Sequence, residues 1–258
     1  MKFFIKNRHG LKMAVVVETP EHPKALAFVM HGLSGNKEEL HLRTFAEAFK
    51  ERGFTVVRFD TTNTFGESEG RYEDATVTNY FEDLEDAIDW AKGQSWYREP
   101  FWLAGHSLGG LCIGLYAEKY PERVAALAPI AGVVSGKLSI EKRALHDADE
   151  LEAWKKTGWY EEESESKPGL IKRLPWSHME DRLKYDLLPD AGKLTMPVLL
   201  IVGDQDRTML EVEALDRAIT GPKELHVIRG APHVFKEPEH LAEIKGIFLK
   251  WIDANLKT

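Results

Sequence analysis

The sequence predicts an α/β fold, a mostly parallel eight-stranded sheet flanked by helices and interrupted once by an insertion. Three observations predict it. Short apolar runs alternate with longer amphipathic stretches along most of the chain, the rhythm of strands joined by helical crossovers. One strand and helix meet at a tight Gly-x-Ser-x-Gly turn, Gly105 to Gly109. The rhythm breaks only between about residues 135 and 189, where the chain becomes charge-dense.

Residues 2–6 and 12–17 read as two short strands around the turn Arg8-His9-Gly10, a hairpin at one sheet edge. Residues 25–30, ALAFVM, form an almost wholly apolar run, as a strand buried on both faces requires. A helix is expected from about 38 to 52, closed by Gly53, then a strand over 55–59 ending in Asp60. A Gly-, Ser- and Thr-rich loop follows over 61–72, and a helix over about 76–92. The strand Phe101 to Ala104 leads into the Ser107 turn and an apolar helix that ends before Pro121. Residues 124–130 form the sixth strand, 198–202 the seventh and 225–228 the eighth, with helices over about 209–219 and 239–255. The boundaries are therefore a core of 1–134 and 190–258, and a cap over 135–189 between the sixth and seventh strands.

A net charge of −8, from 34 basic and 42 acidic residues, disfavours nucleic acid and anionic membrane surfaces as partners. No apolar run approaches the ~18 residues of a membrane span. The first ten residues, MKFFIKNRHG, hold only three consecutive apolar positions between lysines, unlike a signal peptide, so a cytoplasmic location is expected. Cys112, the single cysteine, falls on the apolar helix behind Ser107 and is read as a packing thiol. No His/Asp/Glu cluster has metal-ligand spacing, so neither metal nor cofactor is expected. Oligomeric state stays open, a homodimer included.

In an open parallel sheet, reactive groups gather beyond the carboxyl ends of strands. A serine hydroxyl needs a base, and a histidine base needs a carboxylate to fix its tautomer. His233 lies just past the eighth strand and is the candidate base. Asp206, three residues past Gly203 at the end of the seventh strand, is the candidate acid. Asp204 is its competitor, with loop hydrogen bonding as its plainer role, and Asp60 a remoter option. The backbone N–H groups of Leu108 and Leu33 are the candidate oxyanion donors, Gly32 permitting close approach. Of the other histidines, His9, His22, His41 and His240 are assigned to polar loops or helix surfaces. His31 is expected to brace its loop, His106 to be the variable residue of the turn, and His226 to lie within a strand. His146 and His178 belong to the insertion, where either could contact a substrate. Trp154, Trp159 and Trp176 are candidates to line a pocket there, with packing of the cap as the plainer alternative.

These residues together resemble the α/β-hydrolase family of serine hydrolases, through HGLSGNKEE, RFDTTNTFGESEG, GHSLGG, VGDQDRTM and GAPHVF. The chain is most similar to small bacterial esterases of the feruloyl/cinnamoyl-esterase and monoacylglycerol-lipase-like branch. There, too, a Gly-x-Ser-x-Gly-like loop follows the fourth strand, here Gly66 to Gly70. The resemblance implies an α/β-hydrolase fold and a cofactor-independent hydrolase of small carboxylic esters, with Ser107, Asp206 and His233 as triad and Leu33 and Leu108 as oxyanion donors. An aminopeptidase or amidase on the same triad is the alternative, with the acidic run Glu161 to Glu165 as a hint of an amine-binding pocket.

Overall fold

Each apolar run predicted as a strand forms one, and the eight join in a single sheet. The structure, a computed structural model, describes residues 1–163 and 169–256. Strands β1 (Lys2–Lys6) and β2 (Lys12–Glu18) form the edge hairpin, and β3 (Ala25–Met30) enters the sheet centre. Helix α1 (Leu40–Glu51), β4 (Phe54–Phe59), α2 (Val77–Ala91), β5 (Phe101–His106), α3 (Leu108–Lys119) and β6 (Val124–Ile130) follow. After β6 come α4 (Gly136–His146), α5 (Ala148–Thr157), β7 (Trp159–Glu163), β8 (Ile171–Pro175) and α6 (Trp176–Arg182). The regular alternation resumes with β9 (Val198–Gly203), α7 (Met209–Ala218), β10 (Lys223–Ile228) and α8 (Pro238–Asn255).

The sheet order is β1-β2-β4-β3-β5-β6-β9-β10. β2 runs antiparallel to both β1 and β4, and the pairs from β4 to β10 are parallel. Strand side chains alternate between two cores. Leu26, Phe28 and Met30 of β3 face α2 and α3, while Ala25, Ala27 and Val29 face α1 and α8. That two-sided burial is why the central strands read as continuous apolar runs rather than alternating ones. Aromatic rings fill both layers: Phe28 meets Phe101 edge-on at 5.1 Å, and Phe45 stacks on Phe248 at 5.0 Å.

The segment between β6 and β9 is more regular than its broken periodicity suggests. Ser135 caps α4 by accepting from the Leu138 N–H, and α5 ends at Gly158 in the left-handed conformation (φ 79°). β7 and β8 pair as a separate antiparallel hairpin. Two of its acidic residues, Glu161 and Glu162, are neutralised across the hairpin by Arg173 and Lys172. Ser164 and Glu165 of the predicted acidic run lie outside the described residues. Among the described residues no helix is long and apolar enough to cross a membrane.

Candidate active site

β5 ends in the turn that carries Ser107, and its backbone there is strained. Ser107 sits at φ 54°, ψ −117°, a region L-residues rarely occupy, at a cost of ~1–3 kcal/mol. The surrounding backbone holds it: Ser107 N–H donates to Ile130 O at 3.0 Å, and its carbonyl accepts from Gly110 and Val133. The flanking glycines are sterically required. A Cβ on Gly105 would lie 2.6 Å from the Gly109 carbonyl oxygen, and one on Gly109 2.5 Å from that of His31.

The late strand ends bring the two predicted partners to this hydroxyl. His233 Nε2 lies 2.9 Å from Ser107 Oγ, and His233 Nδ1 lies 2.9 Å from Asp206 Oδ2. A carboxylate can only accept, so Nδ1 carries the proton and Nε2 presents its lone pair to the serine hydroxyl. Asp206 is 5% exposed and also accepts from the Thr208 N–H at 2.7 Å. Burial alone would raise its carboxyl pKa, but the hydrogen bonds from His233 and Thr208 outweigh that and hold it below the usual range. Asp204 instead accepts from the Gly230 N–H, shaping the loop that leads to His233. Asp60 is paired with Lys37 at 2.8 Å, both buried, and its carboxylate also accepts from the Glu67 N–H.

Sequence reasoning missed the role of His106. Its Nε2–H donates to the His233 carbonyl oxygen at 2.9 Å, tying the loop that carries His233 to the turn that carries Ser107. Nothing local foretells a partner 127 residues away. His41 needs a correction. It is 2% exposed rather than on a helix surface, with its ring 4.3 Å from that of His106. The signal was present, because His41, Phe45 and Phe49 recur at i, i+4 and i+8 on the buried face of α1. Burial pushes the His41 pKa down to about 3, and it holds His106 well below the usual histidine range as well. Both rings are neutral around neutral pH.

His31 braces the opposite wall. Its Nε2 accepts from the Thr61 N–H at 3.0 Å, so its Nδ1–H donates to Gly32 O at 2.7 Å. That bond turns the Gly32–Leu33 peptide so that the Leu33 N–H points to the other side. Neither Leu33 N–H nor Leu108 N–H donates to a protein acceptor among the described residues. Gly32 itself is pressed against Ser107, since a Cβ there would fall 2.9 Å from Ser107 Cβ.

A cavity of about 740 Å³ opens from Ser107 and His233 under α4, α5 and α6. Trp154 lines it but is only 1% exposed. Trp154 packs edge-on against Trp176 at 5.6 Å and close to Tyr160 at 5.1 Å. Two of the predicted pocket tryptophans are therefore misplaced. Trp176 does not line the cavity but supports Trp154 from behind. Trp159 lies outside, 38% exposed, under the guanidinium of Arg173 at 4.4 Å, because an outward β7 position presents it to solvent. His178 lines the cavity with its Nδ1–H donated to Ala75 O, and burial lowers its pKa to about 3. His146 is exposed. Among the described residues no group of three or more His, Cys, Asp or Glu is arranged to hold a metal ion.

A parallel sheet with a serine at a strained strand-to-helix turn, and a histidine and an aspartate at later strand ends, defines the α/β-hydrolase class. Within that class the chain belongs to the family described as serine aminopeptidase, S33, whose model matches residues 21–177. It is 26% identical to an uncharacterized 31.7 kDa protein of the traX-finO intergenic region in Escherichia coli, covering 95% of this chain and 96% of that one. It is 27% identical to the mitochondrial palmitoyl-protein thioesterase ABHD10 of Mus musculus, over 80% of this chain and 68% of that one. Its fold matches Est1E from Butyrivibrio proteoclasticus, solved with ferulic acid bound, at a TM-score of 0.80 and 22% identity, covering 98% and 99% of the two chains.

Proposed function

We propose that the protein hydrolyses carboxylic esters through an acyl-enzyme on Ser107. The observation that carries this reading is the unbroken line from Ser107 Oγ through both ring nitrogens of His233 to Asp206, each link 2.9 Å. Ser107 Oγ attacks the acyl carbonyl as its proton passes to His233 Nε2. The carbonyl oxygen, now an oxyanion, takes the free N–H groups of Leu33 and Leu108, each worth ~3 kcal/mol to the transition state. The tetrahedral intermediate collapses, His233 protonates the leaving alcohol, and the acyl group stays on Oγ. Water deprotonated by the same Nε2 then releases the acid and restores the serine. Asp206 keeps the proton on Nδ1 throughout and stabilises the imidazolium.

The named relatives support acyl-transfer chemistry in general, so thioesters belong beside oxygen esters as candidate substrates. The family description favours a second reading, an aminopeptidase on the same residues. The cavity lends it little, because Glu150 is engaged by Arg143 and Glu162 by Lys172, which leaves neither free for an α-amino group. The test is turnover of p-nitrophenyl acetate and butyrate beside aminoacyl-p-nitroanilides, with Ser107→Ala as control. Ester turnover that vanishes in S107A is the expected result. Turnover of the anilides alone selects the aminopeptidase, and no turnover of either by the parent protein retires the hydrolase reading.

A further inference from the structure

The cavity beside Ser107 is bordered by Lys142, Arg143, Arg182 and Arg207. Lys142 is paired with Glu211 at 2.7 Å, Arg143 with Glu150 at 3.1 Å and Arg207 with Asp147 at 2.6 Å. Arg182 differs. Among the described residues no carboxylate stands within ion-pair distance of its guanidinium, and its buried Nε has no hydrogen-bond partner. Burial disfavours its charged form, with Glu211 supplying only longer-range compensation. An arginine does not give up its proton in a protein, so this charge persists without a partner. His178, one turn earlier on α6, faces the same cavity, so the spacing i, i+4 sets a cation and a neutral imidazole side by side.

A half-buried guanidinium with unused donors is costly to keep unless something fills it. We propose that Arg182 receives a carboxylate of the substrate, so that the preferred ester or thioester is itself an anion. One unpaired guanidinium balances one negative charge and presents two parallel N–H groups, the geometry a carboxylate matches. This inference rests on the ester-hydrolase reading for its chemistry, but the binding it asserts stands apart from turnover. The carboxylate could belong to the acyl chain, as in a half-ester of a dicarboxylic acid, or to the leaving alcohol.

The experiment compares matched esters. For the acyl side, p-nitrophenyl half-esters of glutaric and suberic acid are set against p-nitrophenyl valerate and octanoate. For the alcohol side, 3-carboxyphenyl butyrate is set against phenyl butyrate. At least one anionic ester is expected to exceed its neutral counterpart in kcat/KM by ~10–100-fold, the range of a charge-assisted hydrogen-bonded pair. Arg182→Met should abolish that ratio, and Arg182→Lys should retain part of it, with thermal unfolding showing that both variants fold. In parallel, monomethyl glutarate and monomethyl suberate are titrated calorimetrically into S107A with and without R182M, dimethyl glutarate being the neutral control. If the parent cleaves neutral esters but shows neither an anion preference nor Arg182-dependent anion binding, the inference falls and the hydrolase reading stands. If nothing is cleaved yet the monoesters bind through Arg182, the hydrolase reading falls and the inference stands.

Discussion

Replacing Asp206 with asparagine tests the least accessible of the three residues Ser107, Asp206 and His233. The carboxylate uses both oxygens, Oδ2 toward His233 Nδ1 at 2.9 Å and Oδ1 toward the Thr208 N–H at 2.7 Å. Asparagine has one acceptor oxygen. If it stays on Thr208, its NH₂ faces His233 and obliges Nδ1 to accept, which moves the ring proton to Nε2. Ser107 then faces a donor where it needs an acceptor. If the amide flips, two N–H groups oppose each other in a site 5% exposed, at ~1–3 kcal/mol. The first arrangement costs less, so D206N should fold and lose activity. The expected loss in kcat is ~10³–10⁴-fold, or ~4–5.5 kcal/mol of transition-state stabilisation, with KM changed only a few-fold. Initial rates on p-nitrophenyl butyrate near neutral pH measure it, with unfolding curves run on the same preparation. A folded D206N that kept more than about a tenth of the parent kcat would refute the tautomer argument.

Gly105→Ala forces a methyl to within 2.6 Å of the Gly109 carbonyl, so a loss of ~1–3 kcal/mol and a drop of several degrees in Tm are expected by calorimetry. An unchanged Tm would mean that the turn is not sterically closed. Glu118 is 9% exposed with an unpartnered Oε1, and burial raises its carboxyl pKa to about 8. The folded state therefore binds this proton more tightly than the unfolded chain. The resulting stability is complete below the unfolded pKa of ~4.5 and lost as pH rises through about 8. Glu118→Gln should gain on the parent in Tm as pH is raised from about 5 to 9. A pH-independent difference would contradict the sign.

Strands were legible wherever both faces are buried, because ALAFVM or VLLIV admits few other readings. Between β6 and β9 the signal faded, and α4 to α6 with their hairpin emerged only in three dimensions. Ser107, Asp206 and His233 could be singled out because each sits just past an apolar run, where a parallel sheet collects its loops. The sequence also carries a decoy in Gly66-Glu67-Ser68-Glu69-Gly70. Ser68 Oγ donates to Asp60 O and accepts from the Ala14 N–H, while a Cβ on Gly66 would strike the Asp60 carboxylate at 2.3 Å. That string shapes a loop around a buried ion pair, and what separates the two serines is the strand-to-helix setting of Ser107. Arg182 and His106 gave no sign, since their meaning lies in what surrounds them rather than in neighbours along the chain.

The bond from His106 to the His233 carbonyl joins two chain segments that are made far apart in time. Everything up to α3 can emerge and pair while β9, β10 and the loop beyond them are still missing. Parallel pairing across such distances comes late, because long loops must close before contacts repay them. A nascent chain of that length thus holds the strained Ser107 without His233 beside it. On the proposed reading, turnover starts only when the last strands dock, so recovered activity after dilution from denaturant would timestamp the completion of the sheet.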